Sequence, residues 1–291
     1  MRLPRAVAGG VATLVAAACW CSLAAPPAAA VSAARPLRFL FTRYAADGAT
    51  ASIWVVSPTD GSHPGKVYGV RGRWATSARW NPRGTKIAFV RDHALWVMDA
   101  AGRHAHRVFN QRYVSNPVWS PDGRRLVFAW ASRRGRDLFA IHADGTGLRR
   151  LTRTAAVSEF AVGCTPGGAI VATVLAPGGS VIRVFTFDGA ARNRVGRVGD
   201  RAYDLSPDGT EVLFVRGARA RIAAADGAGV SRVVPGLDAV APMLAGTGWR
   251  VVSVRRLADG TDDLVSVRLD GTHRVRLTDN AVDDETVLLG A

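Results

Sequence analysis

Cysteine, lysine and histidine are scarce in this 291-residue chain, and each scarcity removes a class of explanation. Of the three cysteines, Cys19, Cys21 and Cys164, only Cys164 lies beyond the N-terminal stretch, so no internal disulfide can staple the body of the protein. Lys66 and Lys86 are the only lysines, which leaves the formal charge of +15 to arginine. The six histidines lack metal-site spacing: His104 and His106 could face one side of a strand, but two ligands without a third do not make a structural zinc site. No G-x-S-x-G turn is present, so the nucleophile elbow of serine hydrolases is missing. Apolar spacing of three and four never runs for a dozen residues without Gly or Pro, which excludes a helical bundle.

What is present begins with an export signal at residues 1–33: a basic start at Arg2 and Arg5, an apolar stretch from Ala6 to Leu23, and small residues at Ala28, Ala30, Ala33 and Ala34. Cleavage is expected between Ala30 and Ala34. Lipid attachment at Cys19, which follows Ala16, Ala17 and Ala18, is the alternative and would make the protein anchored instead of freely secreted. Residues 34–291 then form a single domain without a transmembrane span, and loss of Arg2 and Arg5 takes the charge from +15 to +13. Such a basic surface attracts polyanions.

A repeat of blade size governs the rest of the chain. Its clearest copy, Asn116 to Thr152, splits into four short apolar runs separated by Ser120-Pro121-Asp122-Gly123 and Asp144-Gly145, turn chemistry that predicts a four-stranded antiparallel meander. The first turn recurs behind Trp80, Trp119, Cys164, Leu205 and Leu244, at intervals of 39, 45, 41 and 39 residues. The second recurs at Asp60-Gly61, Asp99 with Gly102, Asp144-Gly145, Asp188-Gly189, Asp226-Gly227 and Asp270-Gly271. The first copy lacks its first strand, while Glu285 to Leu289 is a strand with nothing after it. The expectation is an all-β, six-bladed β-propeller of four-stranded blades, its first blade closed by the C-terminal strand, which abolishes free edges.

The run WSPDG, followed by DLFAIHADG and LRRLT, resembles the TolB-like, WD40-like (PD40) β-propeller repeat, also found in the propeller domains of prolyl oligopeptidase relatives. The resemblance implies a propeller alone. There is no room for TolB's separate α/β domain or for a hydrolase domain, so partners and chemistry reached through those do not transfer.

Trp80, Trp119 and Cys164 share one slot of the repeat and are expected to pack between blades. The acidic loop 279–285 (Asp279, Asp283, Asp284, Glu285), with Asp262 and Asp263, has the ligand chemistry of a calcium site, but a solvated loop explains it better. No cofactor and no metal is expected. The loops between second and third strands and between blades should share one face, rich in arginine, with Arg91, Arg133, Arg134, Arg136, Arg219, Arg255 and Arg256 as binding candidates. Nucleic acid is set aside as a partner, on the expectation that no aromatic residue interleaves with these basic loops. The reading is a monomeric, exported scaffold of the periplasm, exterior or cell envelope, binding a protein or an anionic envelope polymer without catalysis. A lyase or hydrolase with a site in the central channel is the alternative, against which the innermost strands offer only Asp204 and Glu285.

Overall fold

The computed structural model describes residues 38–132, 135–237, 240–245, 250–258, 260–279, 282 and 284–285. The expected export signal and Cys19 lie outside them, as do Arg133, Arg134 and Asp283. Among the described residues every regular element is a strand, and no helix is long and apolar enough to cross a membrane.

β1 (Phe39–Tyr44), β2 (Ala51–Val56) and β3 (Gly65–Tyr68) start the first sheet, and β4 (Ala75–Trp80), β5 (Lys86–Arg91), β6 (Ala94–Asp99) and β7 (His106–Phe109) form the second. Next come β8 (Val114–Trp119), β9 (Arg125–Ser132), β10 (Gly135–His142), β11 (Arg149–Arg150), β12 (Ser158–Cys164), β13 (Ile170–Ala176), β14 (Gly179–Phe185) and β15 (Ala191–Val195), all in one eight-stranded sheet. β16 (Arg201–Leu205), β17 (Glu211–Arg216), β18 (Arg219–Ala224) and β19 (Arg232–Val233) form the fourth sheet, and β20 (Met243–Ala245), β21 (Arg250–Arg256), β22 (Asp262–Arg268) and β23 (Val275–Arg276) the fifth. β24 (Asp284–Glu285) returns to the first sheet and pairs with β1, Thr42 opposite Glu285 and Arg43 opposite Asp284.

This is an all-β propeller, and it corrects the expected six separate blades: four four-stranded sheets stand alone and the third sheet, β8 to β15, has eight strands. The cause is local. Chain segments entering one repeat bond to the hairpin of the repeat before it, and at Ala51 and Trp74 that contact is an isolated parallel bridge. At Arg136 and Ser158 the same contact falls within strands, and β10 and β12 merge their sheets.

The middle strands are buried on both faces, as in Leu126 to Ala129, Ile170 to Ala172 and Val212 to Phe214, so they read as unbroken apolar runs. The core lies between sheets. Leu95 and Val97 pack with Leu126 and Phe128, while Phe39, Phe41 and Val56 pack with Met243, Val252 and Leu264, joining the first sheet to the last. Each such side chain taken from water contributes about 1.5–3 kcal/mol.

Turn chemistry sets the hairpins. Ser120 and Asp122 bond each other, Ser120 Oγ accepts the Arg125 N–H, and Gly123 at φ 69° donates to the Ser120 carbonyl. Asn81 does the same work in the second sheet, its Oδ1 accepting the N–H groups of Thr85 and Lys86.

The Asp-Gly turns have a further task. Space beside Gly61, Gly102, Gly145, Gly189 and Gly227 is taken by backbone of the preceding repeat's outer segment, at Leu277, Val67, Val108, Leu151 and Arg194 respectively, and beside Gly271 by the ring of Pro235. Because the first of these turns meets Leu277 near the end of the chain, the series runs full circle.

Candidate functional site

Backbone bonds gather the loops between second and third strands with the segments that enter the next repeat. Ala51 N–H donates to the Arg73 carbonyl (3.0 Å), Val114 N–H to His93 (3.0 Å), Arg136 N–H to Val157 (3.2 Å) and Gly199 N–H to Ser180 (2.8 Å). These loops therefore share one face, and the candidate arginines on it meet different fates.

Arg91 is half-buried, stacked 3.4 Å over the Trp96 ring and donating to the Tyr68 hydroxyl. Arg136 is also half-buried and donates to the Tyr113 carbonyl (3.1 Å); loss of water pulls its pKa down. Arg256 pairs with Asp262 (2.7 Å) and donates to the Gly260 carbonyl (2.6 Å). Arg219 and Arg255 are exposed and make no ion pair among the described residues.

The face also carries its own counter-charges, which a count of arginines does not reveal. Arg43 forks onto Asp284 at 2.6 and 2.8 Å, and Arg216 onto Asp200 at 2.7 and 2.7 Å, both carboxylates being fully buried. Arg73 meets Asp92 at 3.1 Å. Open positive charge on this face thereby falls to exposed residues without an ion pair among the described ones, among them Arg71, Arg112, Arg153, Arg197, Arg201, Arg219 and Arg255.

In the channel, Arg79 of β4 reaches Asp204 of β16 at 3.2 Å and the Tyr203 carbonyl at 3.4 Å. Those strands belong to sheets separated by the eight-stranded sheet one way round, and by the last and first sheets the other way. Asp204 also accepts the N–H groups of Leu205 and Leu244, both at 3.0 Å. Bulges in β4, β8, β12 and β16 re-aim the side chains of these inner strands.

A repeated clip closes two of the repeats. Leu138 N–H donates to Thr152 Oγ1 (2.9 Å), Leu151 N–H to the Leu138 carbonyl (2.8 Å), and Arg150 to Asp137 (2.6 Å). Leu264, Thr278, Leu277, Arg276 and Asp263 repeat the arrangement, with the corresponding bonds at 2.9, 2.8 and 2.5 Å. Thr152 and Thr154 hydroxyls both donate to Glu159, whose pKa is raised chiefly by burial, with the Asp137 charge adding to it.

The acidic loop is drawn apart by arginines: Asp262 to Arg256, Asp263 and Asp279 to Arg276, and Asp284 to Arg43. Among the described residues no group of three or more His, Cys, Asp or Glu side chains could hold a metal ion. His104 leans on Asp99 at 3.0 Å, and His106 on the His104 carbonyl at 3.2 Å.

Trp119 and Trp80 lie between repeats, their indole N–H groups donating to the Arg79 and Arg38 carbonyls of the preceding repeat (3.1 and 3.3 Å). The Cys164 thiol is pushed up to about 12, first by burial and then by the Asp122 charge, so it stays protonated and inert at neutral pH.

One premise fails. Aromatic residues do interleave with the basic loops: Tyr44 follows Arg43, Trp74 follows Arg73 and Tyr113 follows Arg112, with Trp74 and Tyr113 exposed. The Arg-aromatic pairing at each place was visible in the sequence and was the signal that could have found them.

The model of the TolB beta propeller domain family matches residues 40–286. The Tol-Pal system protein TolB of Thioalkalivibrio sulfidiphilus is 32% identical over 87 residues, which is 30% of this chain and 20% of that protein. The "uncharacterized peptidase YuxL" of Bacillus subtilis is 29% identical over 98 residues, 32% of this chain and 15% of that protein. The chain thus spans a fifth or less of these relatives. The crystal structure of TolB from Acinetobacter baumannii superposes with a TM-score of 0.73 at 19% identity, covering 85% of this chain and 65% of that one, a likeness of fold.

Proposed function

This chain belongs to the TolB β-propeller domain family, and from that premise we propose that it is an exported, non-catalytic binding module presenting its loop face to a protein or an anionic polymer of the cell envelope. One observation carries the reading: Asp204, a carboxylate of the innermost strands, is spent on Arg79 across the channel, so it is not free to act as acid or base. Rigid strands beneath exposed loops are the usual arrangement for recognition. The fold by itself assigns no activity. Residues 1–33 serve as the export signal, Cys19 is the alternative lipid site, and residues 34–291 act as one monomeric domain without a cofactor.

A hydrolase or lyase is the second reading, because Glu159 has a raised pKa beside Asp137 and perturbed acids mark active sites. Both carboxylates are buried and held by Thr152, Thr154 and Arg150, an arrangement that explains the shift without a substrate.

The experiment is capture of envelope components by the full chain at low and high salt, beside the variant R112S/R201S/R219S/R255S. The reading expects retention by wild type that falls in the variant and at high salt, since opposite charges at a surface are screened within about 8–10 Å at these ionic strengths. Equal retention by both proteins contradicts it.

A further inference from the structure

We infer that the loop face over the first three repeats is a polysaccharide-binding strip, formed by Tyr44, Trp74, His93 and Tyr113 with the Arg73–Asp92 pair among them. This rests on the loop face being the recognition surface and names the partner class it takes.

Trp74, His93 and Tyr113 are exposed, Tyr44 is half-buried, and all four are held in place. Trp74 is 48% and Tyr113 55% accessible, well above the level of buried packing residues. Tyr44 stands edge-on to Trp74 with centroids 5.6 Å apart, and His93 lies 5.7 Å from Tyr113. Backbone bonds fix their carriers: Asp92 N–H donates to the Trp74 carbonyl (3.0 Å), Trp74 N–H to Asp92 Oδ1 (3.3 Å), and Val114 N–H to the His93 carbonyl (3.0 Å). Arg136 braces the Tyr113 carbonyl from the next strand.

Turn geometry sets where the rings sit. Asp92 and His93, at φ 48° and 68°, are the two central residues of the hairpin that pairs Arg91 with Ala94, a turn that requires left-handed values at both positions. Tyr113, at φ 67°, precedes β8 as Ala156, at φ 60°, precedes β12, so its conformation belongs to the segment that enters a repeat.

A sugar ring offers C–H groups of slight positive charge on its face and hydroxyls that both donate and accept. Exposed aromatic faces match the first through their negative quadrupole. The second needs donors and acceptors side by side, which Arg73 and Asp92 supply, joined at 3.1 Å and still 59% and 36% accessible in their side chains. A single-stranded nucleic acid would use the same rings, but its phosphates need cations that are not already neutralised. In this strip Arg43 is bound to Asp284 and Arg73 to Asp92, so a dense polyanion fits poorly.

The test titrates the full chain with three probes: a β-1,4-linked N-acetylglucosamine hexamer, a galacturonate hexamer and dT12. The N-acetylglucosamine hexamer should bind, W74A and Y113A should each weaken it tenfold or more, and R219S/R255S should leave it within twofold. The proposal is overturned if that hexamer does not bind wild type, if its binding survives in both W74A and Y113A, or if the galacturonate hexamer or dT12 binds in preference through Trp74. Envelope capture that depends on the open arginines, without sugar binding, would overturn the strip and leave the loop-face reading standing. Salt-independent capture together with sugar binding at Trp74 would remove the open arginines from the reading and leave the strip standing.

Discussion

Thr152 joins three groups that no sequence window contains. It accepts from Leu138 N–H, donates to Glu159, and holds the segment after β11 against β10. Thr152→Val keeps the shape and leaves a buried N–H and a buried carboxylate short of partners, so unfolding in urea should show a loss of about 1–3 kcal/mol. Thr278→Val should cost a similar amount through Leu264 N–H. Glu159 gives a pH signature. Its folded pKa lies above the unfolded value, so the folded state holds the proton more tightly, and stability from this group is present below the unfolded pKa and lost as pH rises through the folded one. Glu159→Gln should therefore gain on wild type as pH rises past the ordinary carboxylate value of 4.5 in paired thermal melts; a constant difference would show that burial does not shift this acid. The LRRLT run was legible as a repeat. Its partner carboxylate was not, because Glu159 comes from the next strand across a sheet junction, and burial decides its behaviour.

At the scale of elements, the Asp-Gly turns were legible as turns but not as contacts. A glycine required by positive φ and one required by close approach look alike in sequence, and Gly189 is both: its φ is 92°, and a Cβ there would collide with the Leu151 carbonyl of the preceding repeat. Gly48 is a natural control, with φ 60° and open space around it. Gly48→Ala should cost only the left-handed conformation, about 1–2 kcal/mol, whereas Gly189→Ala should cost clearly more by the same denaturation assay. Equal losses would remove the inter-repeat contact from the account. Sheet boundaries were misjudged for a related reason. Turn spacing fixes where strands begin, but whether the Arg136–Ser158 contact counts as a junction or a shared ladder depends on residues flanking it in space.

For the whole molecule, ring closure joins β24 to β1. The surplus strand at the C-terminus and the missing strand at the start were readable because the two turn motifs occur in unequal numbers. The charge that locks them was not: Asp284 had the look of a loop acid, yet it is fully buried and forked by Arg43. Asp284→Ala should cost about 3–5 kcal/mol, because it strands a largely buried guanidinium, and should expose the edge of β1, seen as a lower melting temperature with aggregation. The arginine face proved similarly misleading as a simple sum, since geometry divides it into locked forks and open cations.

The central claim, that recognition belongs to the loop face, is tested most directly by a hydrogen-exchange footprint of the full chain with and without the envelope component it captures. Protection is predicted in the hairpins and entry loops around residues 44–50, 70–74, 92–93 and 110–113. Protection confined to the turns around residues 121–124, 144–146 and 166–168, on the opposite ends of the strands, would contradict it.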